Sequence, residues 1–196
     1  TSRNSILTMG NGRNGGSVTI PSVMIGSRDC QRLKDALPNL NVSFTDEEIE
    51  VDGDYDNGII AHEYGHGISN RLTGGPSTAS CLGGSEQMGE GWSDYMGLIT
   101  TVQDGDTGDK VRGIGTYAIL EPTDGVGIRN FPYSTDMTVN PVTYDDIKTF
   151  SVPHGVGSVW CSMIWDLYWD LVDEYGFDDD LYNGTGGNNI AINLVF

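Results

Sequence analysis

His62-Glu63-Tyr64-Gly65-His66 is an H-E-x-x-H pattern, and it limits this chain more than any other feature. On a helix, positions four apart sit about 40° from eclipsed and about 6 Å apart along the axis, so both imidazoles can grip one ion from one face. Glu63 then stands beside the ion, where a carboxylate can take a proton from water. A second acidic motif follows, Glu90-Gly91-Trp92-Ser93-Asp94. A helix-turn-helix hairpin would bring Glu90 to His62 and His66, giving two imidazoles and one carboxylate with a fourth position left for water. That is the ligand plan of a catalytic zinc. The same pattern also occurs in helices that bind nothing, and Glu90 has an alternative as an ordinary first-turn acid. Asp94 lies four residues after Glu90, where it could accept the second ring N–H of a zinc-bound histidine; a surface or capping role is its alternative.

Charge and cysteine usage exclude several other classes. Lys plus Arg total 10 against 28 Asp plus Glu, a formal charge of −18, which argues against nucleic acid and anionic membrane surfaces as partners. The acidity is spread through loops such as Asp46-Glu47-Glu48 and Asp178-Asp179-Asp180, the pattern of a solvated surface. Cys30, Cys81 and Cys161 are too few and too far apart for a disulfide framework or a zinc ribbon. No apolar run is long enough for a membrane span. Thr1 is not a natural start and Phe196 falls inside an apolar run, so the 196 residues are expected to be an internal fragment of a longer protein.

The chain changes texture near residue 45. A Gly/Asn-rich loop at 10–16 leads to a β-rich stretch at 18–25, a short helix from Ser27 to Leu37 and a strand at 42–44. This strand, helix, strand unit, over residues 17–45, resembles the closing part of a protease-associated domain. The expected organisation is therefore 1–45 as the end of such a domain and 46–196 as the main domain, truncated at both ends. Asp52, Asp54 and Asp56 mimic the start of a calcium loop, but Asn57 replaces the glycine such a loop needs and Glu63 is already claimed by the zinc helix. Calcium is not expected there; Asp56 or Asn57 is expected to cap a helix instead.

Apolar residues then recur at helical spacing at Ile59, Ile60, Tyr64, Ile68 and Leu72, ending at Gly74-Gly75-Pro76. A second helix is expected over about 86–101, with Met88, Trp92, Tyr95, Met96 and Ile99 on its buried side. Residues 111–140 lack periodicity and are expected to edge a cleft. A long helix is expected over 157–175, stopped by Gly176, and another begins near Asn188. His154, in a loop just before the long helix, is the only histidine not already assigned; it is a candidate donor to an oxyanion, with a plain surface position as the alternative.

The segment from Ile59 to Pro76, followed by Glu86-Gln87-Met88-Gly89-Glu90-Gly91-Trp92-Ser93-Asp94-Tyr95, is similar to the fungalysin family of secreted zinc metallopeptidases. The similarity continues through Arg129-Asn130-Phe131-Pro132-Tyr133-Ser134-Thr135-Asp136 and the run from His154 to Trp160, covering about 52–196. It implies an α+β protein: a mostly helical zincin-type metallopeptidase catalytic domain fragment preceded by a small α/β piece. It implies His62, His66 and Glu90 as ligands of one catalytic Zn2+, Glu63 as general base, a gluzincin-type endopeptidase acting on extracellular proteins and peptides, a secreted location, and a pro-segment in the parent protein. By analogy with thermolysin, His154 would stabilise the oxyanion. Bacterial members can carry a protease-associated domain, in agreement with residues 17–45. Against the family pattern, the upstream β-rich portion is absent and the final helical segment is cut off. The alternatives are an aminopeptidase, for which no acidic group marks an amine site, and an inactive fragment or protein-binding module with a structural zinc.

Overall fold

The computed structural model describes residues 27–38, 51–84 and 88–196. The chain divides into two compact units, 1–48 and 49–196. In the first, helix α1 (Ser27–Asp35) carries Arg32 and Lys34 in its last turn, where the helix dipole favours positive charge. The strands expected at 18–25 and 42–44 lie outside the described residues.

The second unit is helix and loop. Helix α2 (Asn57–Gly74) starts at Asp56, whose buried carboxylate accepts from Ile59 N at 3.1 Å and from Ala118 N at 3.2 Å. Asp52 likewise accepts from Asp54 N at 3.0 Å at the head of a short 3-10 turn, Gly53–Tyr55. Asp52 and Asp56 therefore spend their carboxylates on backbone N–H groups. Helix α3 (Gly89–Ile99) follows, and after a long irregular segment come α4 (His154–Tyr175) and α5 (Gly187–Val195). Gly176 ends α4 at φ 79°, a left-handed position that suits glycine. Among the described residues the only β pairings are two isolated bridges, Arg112 with Tyr133 and Ile114 with Gly127. Helix is thus the main regular structure among the described residues.

Helix α4 begins three residues earlier than its apolar period suggests, with His154 as its first residue and Pro153 at the cap. Proline suits a helix start because the first N–H groups have no partner within the helix. The apolar pattern of α2 does not mark a buried stripe: Ile60, Tyr64 and Leu72 are exposed, and the buried face is His62, Gly65 and Ser69.

Close approach of small residues orders the helices. A Cβ on Gly65 would lie 2.8 Å from Ser93 Cα, and one on Gly97 would lie 3.2 Å from Gly58 O, so α2 and α3 run antiparallel. Helix α4 runs alongside α3 in the same direction, Gly157 meeting Gly91 and Tyr168 meeting Tyr95. A Cβ on Gly91 would come within 2.2 Å of Gly157 O, and one on Gly157 within 2.5 Å of Glu90 Cβ. Gly91→Ala is accordingly expected to push the two helices apart, at about 1–3 kcal/mol as for other overpacked sites. Urea unfolding measures this, and a loss under 0.5 kcal/mol would show that the backbones part freely.

Around this contact lies an aromatic core. Trp165 stacks on Tyr168 at 5.0 Å between ring centroids, with Trp169 edge-on to both. Offset and edge contacts of this kind add to the area they bury. Arg112 lies over Trp165 and Trp169 at 5.5 and 5.7 Å, and its backbone pairs with Tyr133 in both directions, at 3.0 and 2.7 Å. The irregular segment is thereby tied to α4.

Candidate active site

His62 and His66 lie one turn apart on α2 with their rings edge to face at 4.8 Å. The antiparallel hairpin sets Glu90, in the first turn of α3, opposite them. His62 Nε2 is 3.2 Å from Glu90 Oε2, and His66 Nε2 is 3.7 Å from Oε1. One ligand atom from each of the three residues falls within 4.8 Å of the others, the only such group of metal-binding types among the described residues. His62 and Glu90 are buried and His66 is partly so.

Whether this group suits a cation is decided by its protons. His62 Nδ1 lies 2.7 Å from Asp94 Oδ1, and a carboxylate can only accept, so Nδ1 carries the hydrogen. In a neutral imidazole, the form that binds a cation, His62 Nε2 then turns a lone pair toward Glu90 Oε2, a buried oxygen with no hydrogen-bond partner. In that form the two atoms are both acceptors. A positive ion satisfies both, whereas an empty gap would leave a buried carboxylate oxygen unpaired. Burial, followed by the neighbouring His62 ring, also lowers the His66 pKa, which favours its neutral, ligating form.

Beneath the histidines, Asp94 is fully buried and carries a saturated set of contacts. Arg129 donates to it twice, Nε to Oδ2 and Nη2 to Oδ1, each at 2.7 Å, and Tyr133 OH donates to Oδ2 at 2.5 Å. Burial opposes the Asp94 charge, yet the hydrogen bonds from Arg129 and His62 outweigh it and hold the carboxyl below its usual range. Arg129 Nη2 also comes within 3.6 Å of Glu90 Oε2. Neither Arg129 nor Tyr133 stands out in the sequence as part of a site. They come from the aperiodic stretch expected to edge a cleft, and only its three-dimensional path puts them under the histidines.

Glu63 follows His62 on α2 and is exposed, its charge acting on His66. His154 opens α4, its side chain 59% exposed and its Nε2 3.5 Å from Glu90 Oε1. Both groups therefore combine access to solvent with proximity to the ligand cluster. A shallow cleft of about 230 Å³, lined by His66, Asn70, Leu82 and Gly89 among others, opens beside His66. The larger hollow of about 830 Å³ lies at the other end of the hairpin, around Asn57, Gly97 and Thr116, and holds no histidine. Volume does not mark this site; the donor set does.

Residues 39–196 match the model of the fungalysin metallopeptidase family, M36. The chain belongs to that family. It is 41% identical over 161 residues to extracellular metalloproteinase 2 of Arthroderma gypseum, an alignment covering 78% of this chain and 25% of the relative. An extracellular metalloproteinase of Aspergillus terreus is 40% identical over 160 residues, with the same coverage. Its counterpart in Aspergillus fumigatus is 40% identical over 152 residues, covering 74% of this chain and 24% of the relative. The chain thus spans about a quarter of the length of these curated fungalysin relatives.

Proposed function

We propose that the protein carrying this chain is a secreted zinc endopeptidase that cleaves peptide bonds of extracellular proteins, with His62, His66 and Glu90 as zinc ligands and Glu63 as general base. The observation that carries this reading is the convergence of His62, His66 and Glu90 ligand atoms within 4.8 Å, with Asp94 on His62 Nδ1 and an exposed Glu63 next to His62 on the helix. When bound, zinc supplies Lewis-acid polarisation of the scissile carbonyl and lowers the pKa of water near neutrality. Membership of a metallopeptidase family and the extracellular relatives support the peptidase class and secretion.

The chain's own residues perform the rest. Glu63 takes a proton from the attacking water and returns it to the departing amine, a role that its exposure and its place next to His62 on the helix support. Asp94 holds the proton on His62 Nδ1 and so keeps Nε2 free for the ion. His154 lies across the site from Glu63's helix and donates Nε2–H to the oxygen that becomes negative as the carbonyl is attacked. Its exposure leaves room for a peptide, and its position at the helix start fixes where the ring can swing. The N-terminal residues 1–45 fit the end of an inserted protease-associated domain, and a pro-segment is assigned to the parent.

Casein or gelatin hydrolysis with parallel metal analysis of the intact protein tests the proposal. One bound zinc and chelator-sensitive cleavage are expected; absence of zinc would overturn it. His154→Phe is expected to lower kcat by about 10²–10³-fold with little loss of metal, as for other oxyanion donors. Unchanged turnover would remove His154 from the site.

A further inference from the structure

We infer that Tyr133 is a positioning residue for the metal centre, acting through Asp94 on His62. This rests on the zinc reading above and adds to it a group that touches neither metal nor substrate. A carboxylate offers about four lone-pair directions, and at Asp94 each one is used. Oδ1 receives His62 Nδ1 and Arg129 Nη2; Oδ2 receives Arg129 Nε and Tyr133 OH. Arg129 alone fixes the plane of the carboxylate, because its two parallel bonds form a fork. A fork still permits the carboxylate and guanidinium to pivot together within that plane. The phenol at Oδ2 blocks this pivot and sets the direction in which Oδ1 faces His62.

Tyr133 is suited to be a fixed stop. Its side chain lies in the core at 1% exposure, and its backbone is bridged to Arg112 through both N–H and C=O. Arg112 is itself held by Asp106 at 2.9 Å and by the faces of Trp165 and Trp169. The phenol oxygen therefore cannot follow Asp94 if the carboxylate shifts. Orientation passes from the aromatic core to Tyr133, then to Asp94, then to the imidazole. Sequence alone does not suggest the link, since Tyr133 is separated from Asp94 by 39 positions and sits in no periodic element.

The test compares Tyr133→Phe with Tyr168→Phe in the intact protein. Both tyrosines are fully buried in the same core, but the Tyr168 hydroxyl has no hydrogen-bond partner. Zinc affinity is read by chelator competition, and the ligand field by the visible spectrum of the cobalt-substituted protein. Tyr133→Phe is expected to weaken zinc binding about tenfold, the lower end for groups that orient a ligand, and to shift the cobalt bands. At saturating zinc it should lower kcat more than it alters KM. Tyr168→Phe should change none of these. Equal affinity in the parent and Tyr133→Phe, or equal weakening in both variants, would overturn the inference. If Tyr133→Phe does not fold, 3-fluorotyrosine at position 133 keeps the ring and alters the donor; an unchanged zinc affinity would then count against it. A parent that binds no zinc would instead bring down the site reading itself, and this inference with it.

Discussion

Glu63→Gln is expected to reduce proteolysis by about 10²–10⁴-fold while zinc content stays at the parent level. The carboxamide has nearly the shape of the carboxylate but cannot accept a proton from water, so the change removes the base and little else. Glu63 is exposed and neither caps nor bridges any element, so the fold has no reason to respond. That separates this variant from a ligand change, which would lose metal and activity together. Casein hydrolysis, metal analysis and a thermal melt on the same preparation distinguish the cases. If cleavage persists at the parent rate with zinc bound, Glu63 is an ordinary surface acid and another group must take the proton.

Asp94→Ala is expected to cost about 3–5 kcal/mol of stability, because it removes one partner of a buried ion pair and leaves the other behind. Arg129 would keep its charge, since a guanidinium does not deprotonate in any accessible range. Its side chain is only 5% exposed, so water cannot replace the carboxylate. The Tyr133 hydroxyl and His62 Nδ1–H would lose their acceptor at the same time. Asp94→Asn should be milder, as it retains one oxygen for His62 or Tyr133. The Asp94 contribution also has a pH sign. Its carboxyl titrates lower in the folded chain, so the stabilisation is complete above the unfolded value and is lost as pH falls through the folded one. Urea titrations at neutral pH measure the cost; a loss below about 1 kcal/mol for Asp94→Ala would show that the site relaxes around the missing charge.

Helical periodicity anticipates α3 and α4, because each packs an apolar face on the aromatic core, to which α5 adds Ala191. It failed in two instructive places. The stripe containing Ile60, Tyr64 and Leu72 follows the helical repeat but is exposed, while the buried face of α2 is made of a histidine, a glycine and a serine. A hydropathy pattern cannot see a face whose burial depends on backbone closeness and polar pairing. Arg129 and Tyr133 escaped for a different reason. Their segment is shaped by turns and two isolated bridges, so no repeat announces which side chains turn inward. His62, His66 and Glu90 were legible because the first two share a helix at fixed spacing and the third lies on the next one. The partners of Asp94, by contrast, depend on tertiary path alone.

The contact between Gly91 and Gly157 has a consequence for how a protein of this kind can vary. Glu90 and His154 belong to different helices, yet the spacing between those helices is set where main chain meets main chain. Beyond the backbone, that spacing involves the Glu90 Cβ against Gly157 and the Trp160 ring beside Gly91. Substitutions at Trp92 or Ile164, whose side chains do not meet either glycine, can reshape the surrounding packing while the spacing between Glu90 and His154 stays the same. Variation in the packing around the helices is therefore uncoupled from the glycine contact that spaces Glu90 and His154.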